Sequence, residues 1–156
     1  MIKKILKQFS IAARESTIKR LIKVPEGYEN WKISEGSLSF AQIAKHLIDL
    51  DYWLCEKIKN PFINSIETQN VEGLTFTREQ FNKLIFKLKD SLEAKLKLID
   101  SLGPEALEAK IFDDSYSEEV SIMWLILRRN LDHEIHHRGQ IATYLRFIQD
   151  SVEIPK

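Results

Sequence analysis

The sequence has few of the residues that mark disulfide frameworks, tight turns or membrane spans. Its 156 residues include one cysteine, Cys55, which excludes an intramolecular disulfide framework and fits a reducing cytoplasm, the location we expect. Five glycines and four prolines leave long stretches free for helices. No run approaches the roughly 18 apolar residues that cross a bilayer. The charged, amphipathic start MIKKILKQF does not resemble a secretory signal, and no membrane partner is expected.

The sequence also has no excess of charge of either sign. Lys and Arg together number 23, and Asp and Glu together also number 23. This balance argues against a domain-wide basic surface that would bind DNA or RNA. Neither a glycine-rich phosphate loop nor a serine or cysteine nucleophile with a partner base is visible, so we expect no nucleotide cofactor and no covalent catalysis. The length predicts one domain over residues 1–156.

Apolar residues at helical spacing predict an all-α chain with four long helices and no sheet. The second and third helices open at capping boxes, Ser39 with Gln42 and Thr77 with Gln80, whose side chains satisfy free backbone N–H groups. We expect these helices to end near Lys59 and before Gly103. Their predicted buried residues are Ile43, Leu47, Leu50 and Leu54 in the second helix, and Phe81, Leu84, Leu88, Leu92, Leu96 and Ile99 in the third.

The first and last helices have less clear patterns. The first is expected over residues 2–22, and its predicted inner face consists of Ile2, Ile5, Leu6, Phe9 and Ala13. The last is expected to start after Ser117 as the N-cap, with Glu118 and Glu119 at the positive end of the helix dipole, and to reach about Gln149. Irregular segments are predicted between the second and third helices and over the tail 150–156, and a short turn of helix followed by an extended loop is predicted over residues 104–116.

The functional prediction depends on histidine. Four occur: His46 stands alone, and His133, His136 and His137 fall within the run DHEIHHRGQ. His133 and His137 lie about 40° apart on a helix, so both imidazoles can reach one ion. His46 lies among inward-facing apolar residues, and a second helix packed beside the last would add a third ligand. If Leu127, Ile141 and Ile148 mark the core side, His136 lies on the far side and is not assigned as a ligand.

Two interpretations of this pattern stay open. An inward histidine such as His46 is commonly a hydrogen-bonded core residue, and a lone HxxxH pair is a weak signal. Three neutral imidazoles around a divalent metal would instead leave positions for water or substrate, as in catalytic sites. A structural zinc site normally closes with a fourth protein ligand, and no obvious fourth is present, which favours the open site.

Four further residues are candidates to support the site or to line a pocket. Asp49 is placed to hold a ligand imidazole, with a solvated carboxylate as the alternative. Asn130 is placed to hold a ligand imidazole or to contact substrate, with a polar core residue as the alternative. Trp53 and Tyr144 are candidate walls of a pocket above the metal, with plain core packing as the alternative.

Three more residues of the last helix have predicted structural roles. Glu134 and Arg138 are four residues apart and are expected to form a partly buried structural ion pair, with a substrate clamp as the alternative. Gln140 is interpreted as a packing residue.

The run from His133 to Gln140, followed by Ile141, Tyr144 and Leu145-Arg146, resembles the signature of the DinB/YfiT-like family of metal-dependent enzymes. Upstream, Trp31, Ser39 and His46-Leu47 match as well, so the resemblance covers nearly the whole chain. It implies an up-down-down-up four-helix bundle, a homodimer, and metal ligands at His46, His133 and His137.

The resemblance also implies a function. Relatives bind a divalent metal such as nickel or zinc, and some transfer a low-molecular-weight thiol to an electrophile. A metal-dependent thiol S-transferase with a small-molecule substrate is therefore expected. The alternatives are a metal-dependent hydrolase and a non-catalytic metal-binding or dimerisation module.

Overall fold

The computed structural model describes residues 1–65 and 70–151, which form a helical bundle with one small hairpin. The first long helices are α1 (Ile2–Leu21), α2 (Phe40–Lys59) and α3 (Arg78–Ser101). A short helix, α4 (Pro104–Glu108), leads to the antiparallel strands β1 (Lys110–Asp113) and β2 (Glu118–Ser121). The last helix comprises α5 (Ile122–Leu125), a π-helical segment (Ile126–Leu131) and α6 (Asp132–Ser151).

The four long helices run up-down-down-up. The first of two apolar clusters includes Leu21, Phe40, Phe81 and Ile148, and the second includes Leu6, Leu54, Ile99 and Leu125. The first cluster therefore joins the ends of α1 and α6 to the starts of α2 and α3, and the second joins the opposite ends. Helix α1 lies between α3 and the last helix, and α2 contacts the same two helices. The predicted four-helix bundle is confirmed.

A layer of buried charge separates the two apolar clusters. This charged layer consists of Arg14, Asp51, Lys95 and Glu134, together with the polar residues Ser91 and Asn130. Arg14 donates to Glu134 Oε1 and Asp51 Oδ2, both at 2.7 Å, and Lys95 Nζ lies 3.2 Å from Asp51 Oδ1. Burial by itself would raise the pKa of Asp51, but Lys95 and Arg14 hold it at about 2. Two cations thus balance two anions in the interior.

The predicted inner face of α1 is confirmed at Leu6 and Ala13 and wrong at Ile2, Ile5 and Phe9, and the charged layer explains the difference. Its buried residues are Leu6, Ser10, Ala13, Arg14, Thr17 and Leu21, whereas Ile2, Ile5 and Phe9 are 41–59% exposed. Arg14 and Thr17 are polar but buried, because both bond to Glu134. The buried face of α1 is therefore not marked by regularly spaced apolar residues. The same cause affects α3, where Lys95 is buried while Leu92 and Leu96 are half-exposed.

The prediction of no sheet was also wrong. Strands β1 and β2 pair Ile111 with Val120, and both side chains are buried against the second apolar cluster. Ser117, the predicted N-cap, instead lies in the turn with a φ of 53°. Ser121 caps the last helix by accepting a hydrogen bond from the backbone N–H of Trp124.

The remaining boundaries follow the sequence signals. Both predicted capping boxes form, with reciprocal bonds between Ser39 and Gln42 and between Thr77 and Gln80. Helix α6 continues to Ser151, beyond the predicted end. The predicted irregular connection and tail fall partly on residues 66–69 and 152–156, outside the described residues. No helix in the described ranges combines the length and hydropathy that a bilayer-spanning segment needs.

Candidate metal centre

Three histidines from two helices meet near the middle of the bundle. His46 lies on α2, and His133 and His137 lie one turn apart on α6. The Nε2 atom of His133 is 3.0 Å from the Nε2 atoms of both His46 and His137. Two imidazole nitrogens that bind one zinc ion tetrahedrally at about 2.0–2.1 Å lie roughly 3.3–3.4 Å apart. The observed spacing is close to this, and one ligand atom from each ring lies within 4.8 Å of the others, so the three rings could hold a single divalent ion.

The protonation state of the rings suits metal binding. Burial, and then the neighbouring His137, lower the pKa of His46 to about 4. Burial, followed by the charges of His137 and His46, lowers the pKa of His133 to about 3. Burial also lowers the pKa of His137, although its hydrogen bond to Gln140 acts in the opposite direction. At neutral pH all three rings are neutral, the form in which imidazole binds a metal.

A chain of hydrogen bonds orients the ring of His137. Tyr144 donates its hydroxyl proton to the carbonyl of Leu38 at 3.0 Å, which leaves the phenol oxygen to accept from Gln140 Nε2 at 2.8 Å. The amide oxygen of Gln140 then faces His137 Nδ1 at 2.9 Å and accepts its proton. This arrangement fixes the tautomer in which His137 Nε2 presents its lone pair to the other two rings.

The other two predicted supports of the site have different contacts. Asp49 does not reach His46; its carboxylate accepts from Lys45 at 2.5 Å. His46 Nδ1 is buried and has no hydrogen-bond partner in the described part of the chain. Asn130 contacts no imidazole and belongs to the charged layer, where it donates to Asp51 and accepts from Lys95. Neither Asp49 nor Asn130 therefore makes the contact with an imidazole ring that was expected of it.

The charged layer lies directly behind the histidines. Glu134, next to His133 in sequence, is 1% exposed and bonds to Arg14 on α1. The predicted pair of Glu134 with Arg138 was therefore wrong, and Arg138 is half-exposed. Because the charged layer ties α6 to α1, α2 and α3, it fixes the depth and rotation at which His133 and His137 project.

A pocket of about 300 Å³ opens on the outer side of His133. Its lining consists of Tyr116, Arg128, Arg129, Asp132, His133 and His136. The two arginines come from the π-helical segment, and Tyr116 comes from the turn of the hairpin. His136 is exposed at the rim and is not among the three clustered ligand residues, in line with its helix phase.

The predicted pocket walls Trp53 and Tyr144 are buried. Trp53 packs in the second apolar cluster, and the guanidinium of Arg129 lies 5.3 Å from its ring. Tyr144 packs in the first cluster and acts on the site through Gln140. Cys55 is also buried, in the second cluster, and is not one of the three clustered ligand residues. Trp53 thus lies under an arginine that lines the pocket.

The interpretation of Gln140 as a packing residue was wrong, because it bonds to His137 and Tyr144. Its position three residues after His137 on the same helix indicates that it can reach the same ring. The sequence did not identify Arg128, Arg129 and Tyr116 as residues of the site. The arginines gave no comparable signal, because their direction depends on the π-helical segment.

Replacing Gln140 with leucine is expected to weaken zinc binding by about 10–100-fold, because the substitution frees the ring and tautomer of His137. Gln149→Leu, at an exposed position of the same helix, is the control and should bind as the wild type does. Zinc titration of the metal-free proteins by calorimetry measures both. Equal affinities for the two variants would show that Gln140 does not orient the ligand.

Comparison with known proteins gives a consistent family and fold. A family model described as the DinB family matches residues 4–148. The uncharacterised protein YjoA of Bacillus subtilis strain 168 is 24% identical over 125 residues, which cover 80% of this chain and 76% of that protein.

Two crystal structures show similar folds. The DinB-like protein YjoA from Bacillus subtilis superposes with a TM-score of 0.68 at 23% identity, covering 97% of this chain and 95% of that one. An uncharacterised protein from Clostridium difficile 630 superposes with a TM-score of 0.64 at 16% identity, covering 92% and 95%. At these identities the likeness establishes the bundle and says nothing of a substrate.

Proposed function

The chain belongs to the DinB family, and we propose that it is a divalent-metal-dependent enzyme that transfers a low-molecular-weight thiol to an electrophilic small molecule. The observation that supports this proposal most is the pocket beside His133, because a small molecule bound there would contact one of the three clustered imidazoles. Zinc and nickel are the proposed metals, since both accept imidazole ligands.

The chain's own residues have distinct tasks in this proposal. His46, His133 and His137 hold the ion, and their neutrality leaves its charge available to the substrate. When bound, such an ion supplies Lewis acidity, which lowers the pKa of a thiol and makes a nucleophile at neutral pH. Gln140 and Tyr144 keep His137 in position. The pocket volume of about 300 Å³ suits a small organic substrate.

Turnover tests the proposal. The zinc-loaded and nickel-loaded proteins are incubated with a panel of small thiols and an electrophile such as a chloro-dinitroarene, and thioether formation is followed by absorbance. We expect turnover that disappears after chelation and in His46→Ala but persists in Gln149→Leu, a substitution outside the pocket. Hydrolysis of the electrophile without thiol consumption would favour a hydrolase. Stoichiometric metal without turnover of any pair would favour a non-catalytic metal-binding module.

We also propose that the chain forms a homodimer through the outer face of α1. Ile2, Ile5 and Phe9 are 41–59% exposed there, and a second copy would cover them. Sedimentation equilibrium should give twice the chain mass for the wild type and a shift towards the monomer for Phe9→Glu. A monomeric wild type at all concentrations would contradict this part of the proposal. The cytoplasmic location stays a prediction.

A further inference from the structure

The pocket beside His133 is lined by charged and polar side chains to an extent unusual for a site that binds small organic molecules. We propose that this pocket holds an anionic oxygen group of the substrate, such as a carboxylate or sulfonate, bound by Arg129 and Arg128. The inference rests on the proposed function, in which the reacting end of the same substrate lies at the histidine cluster.

Arg129 is held in place by three separate parts of the chain. Its Nη2 atom donates to Ser65 Oγ at 2.5 Å, and its guanidinium lies 5.3 Å from the ring of Trp53. On the hairpin side, its Nε atom lies 3.3 Å from Asp113 Oδ2. With its side chain 15% exposed, Arg129 has little freedom left to lose when it binds a ligand. A guanidinium fixed in this way is a preorganised donor for a carboxylate or sulfonate.

The ion pair of Arg129 is incompletely satisfied. Both Arg129 Nε and Asp113 Oδ2 are buried, and neither has a hydrogen-bond partner within residues 1–65 and 70–151. Arg129 Nε and Asp113 Oδ2 lie 3.3 Å apart, so their charges attract each other, but the geometry is not that of a hydrogen bond. Because Nε is buried against Asp113, the donor left for the pocket is Nη1, which makes no hydrogen bond to the described residues, whereas Nη2 binds Ser65.

The charges around the pocket favour an anion with more than one negative charge. Arg128 is paired with Asp132, and Arg129 lies beside Asp113, so these four side-chain charges cancel. Imidazole binds a metal in its neutral form, so three histidine ligands would not compensate the charge of a divalent ion held between them. One thiolate would supply a single negative charge. A second anionic group on the same molecule would complete the balance, and the arginine N–H groups lie where they can bind it.

A series of small thiols tests the inference. The probes are 3-mercaptopropionate and 2-mercaptoethanesulfonate, which are anionic, and the neutral 2-mercaptoethanol. Their binding to the cobalt-loaded protein is followed by visible absorbance, and each anionic thiol is compared with the neutral one as a ratio of affinities. We expect the wild type to favour the anionic thiols by at least about tenfold, because a hydrogen bond to a charged group contributes that much.

Three variants show whether the arginines cause this preference. The ratio should fall towards one in Arg129→Gln and in Arg128→Gln, while binding of 2-mercaptoethanol stays unchanged. Arg128 has a side chain that is 52% exposed, so its variant remains informative even if Arg129→Gln fails to fold. Arg146→Gln, an exposed position of the same helix that does not line this pocket, is the control and should keep the wild-type ratio. A ratio that is the same in the wild type and in both pocket variants would overturn the inference.

A metal-free arm separates this inference from the proposed function. Propanesulfonate is titrated into the ¹⁵N-labelled metal-free protein, and the indole N–H signal of Trp53 is followed by NMR. Saturable shifts in the wild type that are lost in Arg129→Gln would support the anion site even if cobalt failed to bind. If cobalt binds but neither arm detects an arginine-dependent anion, the metal site stands and the anion site is refuted.

Discussion

Replacing Arg14 with methionine is expected to lower the free energy of unfolding by about 3–5 kcal/mol, because it removes one partner from a buried ion network. Arg14 is 1% exposed and bonds to Glu134, Asp51 and Ser91. Without it, two carboxylates would remain in the interior with Lys95 as their cation. Denaturant unfolding of the metal-free protein measures the loss.

Two comparisons identify charge imbalance as the cause. Arg20→Met removes a half-buried arginine of α1 whose bonds are to Ser16, one turn earlier, and should change stability by less than about 0.5 kcal/mol. Adding Glu134→Gln to Arg14→Met restores neutrality and should recover part of the lost stability. If Arg14→Met alone costs no more than Arg20→Met, the charged layer is not what holds the four helices in register.

Replacing His137 with alanine is expected to lower zinc affinity by more than about 100-fold, since loss of a partner that only supports a ligand already costs about 10–100-fold. The substitution leaves two imidazoles and also disconnects the support from Gln140 and Tyr144. Calorimetric titration gives the affinity. Thermal unfolding gives a second readout, because zinc at about 100 times the wild-type Kd should add about 2.7 kcal/mol to the stability of the wild type but less than about 0.5 kcal/mol to that of His137→Ala.

His136→Ala is the matched control for this substitution. It removes an imidazole next to His137 in sequence whose exposed ring lies outside the cluster of three. We expect it to bind zinc as the wild type does and to show the same thermal stabilisation. Equal losses in the two variants would mean that the zinc site is not the one described.

The sequence predicted those parts of the structure that have local signals. Two capping boxes located the starts of α2 and α3 because the bonds form within four consecutive residues. The spacing of His133 and His137 and the inward phase of His46 predicted that the three rings meet, and the structure brings them together. That they bind a metal remains the proposal.

The features that were missed depend on contacts between distant residues. The inner face of α1 is held by Arg14 with Glu134, residues 120 positions apart, and such pairing gives no periodic pattern. Strands β1 and β2 have four residues each, too few for an alternating pattern to stand out from a loop. The residues of β1 were therefore assigned to a loop, and those of β2, which begins with Glu118 and Glu119, were assigned to the start of the last helix.

The π-helical segment explains the remaining error in the last helix. A π-helical turn takes more residues than an α-helical turn, so the faces before and after it are out of phase. Leu127, assigned to the core side with Ile141, is 40% exposed, whereas Ile126 is buried. The same segment directs Arg129 towards the pocket and Asn130 towards the charged layer.

X-ray absorption at the zinc edge is the most direct test that the three histidines hold one ion. For the zinc-loaded wild type, we expect a shell of nitrogen and oxygen atoms at about 2.0–2.1 Å, with the outer scattering of three imidazoles. His46→Ala should lose one imidazole from that pattern or lose the zinc altogether. A shell containing sulfur, or an imidazole count that is unchanged in His46→Ala, would show that the three histidines do not hold the ion together.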